Sequence, residues 1–204
     1  MSQITSGLRS VLAMPVIYSG FQYLMGAHNF WKNFVNNLNV KSGDSVLDIG
    51  CGPADILMYI PKSVGYWGFD ISPEYINSAI KKHKHNGSLY CKEIGYADLK
   101  YLPTFDRVIL IGVLHHIEDD AAREIIKIAY EALKPGGQLI SVDPCYELNQ
   151  NPIARYLISK DRGRNVRNLE NYKFLVESIF VKNKYEVVHR TWIPYTHCFM
   201  TCTK

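Results

Sequence analysis

Ser45-Val-Leu-Asp-Ile-Gly-Cys-Gly-Pro53 decides the fold: an apolar run stops at a turn holding two glycines and a proline. Short apolar runs bounded by such residues read as buried strands, and glycine lets the chain turn tightly and a ligand approach the backbone. Pro53 suits the first position of a helix, with Ile56, Leu57 and Ile60 spaced for its buried face and Pro61 ending it. The same alternation continues outward. Residues 66–69 read as a second strand ending at Asp70, and Ser72-Pro-Glu74 then gives an N-cap, a proline and an acid for the next helix. Residues 89–94 and 106–111 are the third and fourth strands. Residues 118–133 form a helix with Ile125, Ile128, Ala129 and Leu133 in one stripe, Lys134-Pro-Gly-Gly137 ends it, and residues 138–142 are a fifth strand. Alternating strands and helices imply a mostly parallel sheet with helices on both faces and right-handed crossovers. The last third differs: a helix from Asn168 to about residue 180, then strands at 186–193 and 198–203 joined by Pro194-Tyr-Thr-His197. Residues 1–43 read as a helical, aromatic-rich cap in which Tyr18, Phe21, Tyr23, Phe30 and Trp31 could close a pocket.

Composition bounds the function. At 204 residues, 47% hydrophobic and 21% charged, the chain is long and apolar enough for a sizeable core. No apolar run approaches the roughly 18 residues of a membrane span, and no secretory leader is expected, since Pro15 breaks the apolar residues 11–18 and only Arg9 precedes them. Cys51, Cys91, Cys145, Cys198 and Cys202 are an odd set without a Cys-x-x-Cys pair, which fits a reducing cytoplasm better than a disulfide framework or zinc site. No metal centre is expected, and Lys81-Lys-His-Lys-His85 reads as a solvated helix end. The net charge of +4 is too small to argue for nucleic acid.

In an open parallel sheet, ligands bind beyond the carboxyl ends of the strands. The glycine turn after residue 49 lies at such an end. A dinucleotide loop would carry a third glycine where this chain has Asp55. Asp48 and Asp55 beside the loop would repel a pyrophosphate and favour a cationic ligand. S-adenosylmethionine, with an ammonium and a sulfonium, therefore suits the loop better than NAD. Asp70, eighteen residues beyond Gly52, is placed to accept both ribose hydroxyls of either nucleoside.

Val46-Leu-Asp-Ile-Gly-Cys-Gly-Pro53, Gly68-Phe-Asp-Ile-Ser72, the run from Phe105 through His115-His-Ile-Glu-Asp119, and Ala132-Leu-Lys-Pro-Gly-Gly-Gln-Leu-Ile140 together resemble the class I S-adenosylmethionine-dependent methyltransferases, in that family's order, across about residues 43–143. The resemblance implies an α/β, Rossmann-like three-layer sandwich. Its seven-stranded, mostly parallel sheet would have an antiparallel last strand and helices on both faces. Residues 1–43 would be an N-terminal helical cap, 44–204 the methyltransferase domain and 144–167 a lid over the acceptor. Carried over by position, Asp48, Gly50, Cys51 and Gly52 would surround the methionine part of the cofactor. Asp70 would hold the ribose and Ile71 would pack on adenine. Asp98 and Leu99, counted back from Leu102-Pro103, would contact adenine, and Gly112 would lie close to the transferred methyl. The product would be S-adenosylhomocysteine.

Methyl transfer is an in-line displacement on an activated sulfonium, so alignment and water exclusion matter most. A general base is needed only for a hydroxyl or a protonated amine. His115 and His116 after the fourth strand, and Tyr195 and His197 in the terminal turn, are the candidates to orient or deprotonate an acceptor. Arg155, Lys160, Arg162, Arg164 and Arg167 outnumber Glu147 and Asp161 in the segment after the fifth strand, which would suit an anionic acceptor or simply make a solvated basic face. The expected partner is a small-molecule acceptor, with its oxygen or nitrogen methylated. Rivals are an RNA or protein methyltransferase and a non-catalytic binding module. Against a nucleic-acid enzyme, Gly112-Val-Leu-His-His116 stands where an Asn/Asp-Pro-Pro-aromatic motif would, and Cys145 lacks a partner cysteine near the fourth strand.

Overall fold

The computed structural model describes residues 27–84, 86–190 and 194–204. Tyr18, Phe21, Tyr23, His85 and the apolar stretch 11–18 lie outside them. Among the described residues, seven strands follow the order β3-β2-β1-β4-β5-β8-β7, and a two-residue eighth, β6, pairs with β5 off that path. The seven-stranded α/β sheet expected from the sequence is therefore present.

The described residues form two compact units, divided between Arg107 and Val108. The N-terminal unit begins with α1 (Ala27–Leu38), whose Phe34, Val35 and Leu38 are buried. Phe30, Trp31 and Phe34 pack on one another as a small aromatic cluster. β1 (Ser45–Ile49) pairs in parallel with β2 (Gly65–Asp70), and β2 with β3 (Ser88–Cys91). Between β1 and β2 the expected helix shrinks to a 3₁₀ turn, Asp55–Met58. The reason is local: Ala54 is left-handed at φ 54°, so a right-handed helix cannot run through from Pro53. Ile56, Leu57 and Ile60 are nonetheless buried as their spacing requires. α2 (Pro73–His83) starts as read, with the Ser72 hydroxyl accepting from the Tyr75 amide at 3.3 Å and Pro73 first in the helix. A short α3 (Tyr96–Leu99) follows, then β4 (Phe105–Ile111).

The C-terminal unit carries a 3₁₀ turn at Leu114–His116, then α4 (Asp119–Ala132), whose Ala122, Ile125, Ile126, Ile128, Ala129 and Ala132 are buried. β5 (Leu133–Tyr146) is much longer than residues 138–142. Its extension past Val142 is set by remote partners: β8 (Tyr195–Thr203) pairs with it antiparallel from Gln138↔Thr203 to Pro144↔His197, and Arg167–Asn168 pair in parallel with Cys145 and Tyr146. α5 (Pro152–Ser159), β6 (Arg167–Asn168), α6 (Leu169–Val176) and β7 (Lys182–Arg190) complete the unit. β7 pairs antiparallel with β8 through Arg190↔Tyr195. Tyr195 and His197, expected in a turn, are therefore strand residues of β8, because the ladder extends to the first residue after Pro194.

Candidate active site

In the N-terminal unit the glycine loop is anchored to β2. The amides of Gly50 and Cys51 both donate to the Phe69 carbonyl, at 2.7 and 3.0 Å. Gly50 and Gly52 sit at φ 77° and 52°, where a side chain would be strained. Asp70 closes the arrangement: one carboxylate oxygen accepts from the Gly52 amide at 2.9 Å and the other from the Ser72 amide at 2.8 Å. An ionised carboxylate offers about four lone-pair sites, so each oxygen can still accept a hydroxyl. Ile71, next along, is 47% exposed despite its size.

Asp48 is only 3% exposed and accepts from the Tyr66 hydroxyl at 2.7 Å. Burial lifts its pKa to about 7; the Tyr66 bond opposes this and nearby Asp70 adds to it. Asp55 is paired with Lys82 at 2.5 Å. With one acid buried and the other compensated, the loop repels a pyrophosphate less than its sequence implies. Burial also pushes the Cys51 thiol far up, so it is neutral packing beside Gly68. Asp98 caps α3 through the Gly95 amide at 3.0 Å and pairs with Lys92. Leu99 ends that helix, half-buried.

The C-terminal unit gathers a second cluster. His115, 5% exposed, is clamped at both ring nitrogens: Nδ1 lies 2.8 Å from Asp143 and Nε2 3.2 Å from Asp161. Its amide also donates to Asp143 at 3.1 Å. Burial pulls its pKa down, but the two carboxylates outweigh that and raise it to about 9, so the ring is cationic at neutral pH. Asp161, held far below the usual carboxylate range chiefly by His115 against its own burial, also accepts from the Gly163 amide and the Tyr195 hydroxyl, each at 2.8 Å. A Cβ on Gly163 would meet the His115 ring at 2.1 Å, so only glycine lets the chain pass there.

His116 and His197 behave oppositely. Burial lowers both pKa values to about 3, helped by the His115 cation, and by Arg162 for His116 and Arg190 for His197. Each keeps a buried Nδ1 with no hydrogen-bond partner among the described residues. Gly112, at φ 67°, donates its amide to Val142 at 2.8 Å. All four sequence candidates thus meet in one cluster. Asp143 and Asp161, missed as site residues, complete it. An acid directly after the expected strand 138–142, as Asp70 closes β2, was the available signal for Asp143.

The basic segment divides. Arg167, expected to face an anion, is 6% exposed and uses its guanidinium internally. It contacts the Asp119 carboxylate at 2.8 Å through Nε and 2.7 Å through Nη2, and donates to the carbonyls of Leu114, Ile117 and Asn165 at 2.6, 2.8 and 3.1 Å. Guanidinium has five N–H donors, so none remains for an acceptor. Arg155 is exposed and lies 5.2 Å from the Tyr146 ring centre, and Arg164 is exposed. Cys145 is fully buried, out of reach of a macromolecular substrate.

A family model described as a methyltransferase domain matches residues 46–137. Ubiquinone/menaquinone biosynthesis C-methyltransferase UbiE of Neisseria meningitidis serogroup B is 29% identical over 176 residues, covering 76% of this chain and 67% of its own. Phosphoethanolamine N-methyltransferase 3 of Arabidopsis thaliana is 30% identical over 148 residues, 69% of this chain and 29% of its own. The chain therefore spans about two thirds of the bacterial relative and under a third of the plant one. In fold it is similar to the pyocyanin biosynthetic protein PhzM, at TM-score 0.71 and 17% identity over 98% of this chain and 63% of that one. It is also similar to Haemonchus contortus phosphoethanolamine N-methyltransferase 2 in complex with S-adenosyl-L-methionine, at TM-score 0.66 and 16% identity over 86% and 52%.

The glycine loop fits that cofactor. A Cβ at Gly52 would meet nothing within 4 Å, so the backbone there borders open space. Asp70 has lone pairs for two hydroxyls, and the exposed Ile71 offers an apolar surface for a flat base. The chain is thus similar to S-adenosylmethionine-dependent methyltransferases, with a methyltransferase domain matched at residues 46–137, and is an enzyme with S-adenosylmethionine as its cofactor.

Proposed function

We propose that the enzyme methylates an oxygen or nitrogen of a small molecule held against the His115–His116–Tyr195–His197 cluster. One observation carries this reading: His116 and His197 each present a buried, unpartnered Nδ1. Such an atom costs about 1–3 kcal/mol while unsatisfied, and a bound hydroxyl or amine would satisfy it. Both rings are neutral at pH 7 and can accept the acceptor's proton in a hydrogen bond, turning its lone pair outward. The bound cofactor supplies an activated methyl on its sulfonium. Asp48, Gly50, Cys51, Gly52, Asp70, Ile71, Asp98 and Leu99 hold it, with Gly112 near the methyl. Arg155, Arg162 and Arg164 meet an anionic group of the acceptor, and residues 144–167 cover it. Arg162 is supported by its electrostatic effect on His116.

No helix among the described residues is long and apolar enough to cross a membrane, and all five cysteines are unpaired. The thiols favour a reducing cytoplasm. The names of the two relatives point to different acceptor atoms, carbon and nitrogen, which makes the atom itself a readout.

The test is a methyl-transfer assay with matched phenols, amines and their phosphorylated or carboxylated forms, with the product atom identified by NMR. His197→Ala is expected to lower kcat by about 10²-fold with KM for the cofactor unchanged. Arg162→Ala should raise KM for the anionic acceptors alone. Turnover unaffected by His197→Ala would overturn the acceptor site, and a methylated carbon would overturn the choice of atom.

A further inference from the structure

The geometry points to a divalent-cation site made by His115 Nε2, a ring nitrogen of His116 and a carboxylate oxygen of Asp161. One ligand atom from each lies within 4.8 Å of the others. Two imidazoles and one carboxylate suit a borderline first-row ion such as zinc, cobalt or iron. Two nitrogen or oxygen ligands at about 2.0–2.1 Å from a tetrahedral ion stand about 3.3 Å apart. His115 Nε2 and Asp161 Oδ1 are already 3.2 Å apart. An ion would replace the proton now shared between them, and His116 would close in by about 1.5 Å, from the 4.8 Å limit to the tetrahedral spacing.

The surroundings are those a metal site needs. Histidine ligands usually donate their other ring N–H to a carboxylate, which fixes the ring and strengthens it as a ligand. His115 Nδ1 does so to Asp143 at 2.8 Å. The ligating carboxylate is steadied too, by the Gly163 amide and the Tyr195 hydroxyl. His116 enters with its Nδ1 unpartnered, so no hydrogen bond at that atom is lost, and with the ion bound the Nδ1 of His197 alone is left to receive the acceptor. Three protein ligands leave a coordination position open, the pattern of ions that act on a bound molecule rather than hold a fold together. A hydroxyl or anionic oxygen of the acceptor takes that position, where the ion lowers its proton affinity. This last role rests on the acceptor site proposed above; the ion binding itself does not.

Cobalt(II) is the probe, added to chelator-stripped full-length protein without cofactor or acceptor. We expect a visible d–d absorption of low-coordinate cobalt that saturates at one equivalent. Asp143→Asn should weaken binding by about 10–100-fold, and His116→Ala and Asp161→Asn at least as much, with circular dichroism reporting that each variant is folded. His83→Gln, on the separate basic helix end, should leave the titration unchanged. His116→Ala decides if Asp161→Asn does not fold. No d–d band, a thiolate-to-cobalt charge-transfer band instead, or a band indifferent to His116→Ala would overturn the site. S-adenosylhomocysteine calorimetry on the same protein reads the cofactor site separately, so either can fail alone.

Discussion

Arg167→Met is expected to destabilise the enzyme by about 3–5 kcal/mol, chiefly through the carbonyls it leaves without donors. The guanidinium is nearly inaccessible and ties the Leu114 and Ile117 carbonyls, at the two ends of the histidine turn, to Asp119 at the start of α4. Methionine keeps much of the stem's bulk but leaves those carbonyls as buried acceptors without donors, each costing about 1–3 kcal/mol. Lysine would rescue little, because one ammonium cannot reproduce the planar fork. Urea unfolding at pH 7.5 measures the loss. The matching fall in melting temperature is about 8–15 °C for a chain of this size. A loss under about 1 kcal/mol would mean that Arg167 is replaceable, returning it to the pool of acceptor-binding cations.

Asp48→Asn is expected to act in opposite directions on stability and binding. The folded-state pKa of Asp48 is raised from 3.8 to about 7 by burial. Between those values the folded state binds more protons than the unfolded one, so this residue's contribution to stability falls as pH rises from about 4 to about 7 and is then flat. Asparagine removes that penalty while its carbonyl can still accept from Tyr66. The variant should match the wild type near pH 4 and exceed it by about 2–4 kcal/mol above pH 7. At pH 8, where the wild-type carboxyl is ionised, it should bind S-adenosylmethionine at least ~10-fold more weakly, having lost the negative charge expected beside the cofactor's ammonium. Denaturant unfolding at pH 5 and 8, paired with calorimetry, reads both. A variant less stable than wild type at pH 8 would contradict the burial argument, and unchanged affinity would remove Asp48 from the cofactor's surroundings.

Of the two clusters, the glycine loop, whose residues are closest in sequence, was the more legible. The Gly50–Gly52 turn, Asp70 and the Ser72 cap depend on strand ends and helix starts, which neighbouring residues set. Even there, left-handed Ala54 was invisible, because nothing in an alanine announces a positive φ. The second cluster could be read only as a collection of parts. Tyr195 meets Asp161 across 34 residues and His115 meets Asp143 across 28, contacts made by the β5–β8 ladder and the chain's return at Gly163. A basic segment likewise does not reveal which of its cations is buried: Arg155 and Arg167 look alike in sequence, yet one is exposed and the other bridges a carboxylate and three carbonyls.

The cofactor site itself is tested most directly by titrating S-adenosylhomocysteine into wild type and Asp70→Ala by calorimetry. Asp70 supports both the Gly52 loop and, in this account, the ribose. The wild type should bind one equivalent with an affinity on the order of micromolar, about −8 kcal/mol, and the variant at least ~100-fold more weakly, a loss of about 3 kcal/mol. Equal binding by both proteins would contradict the placement of the nucleoside at the end of β2.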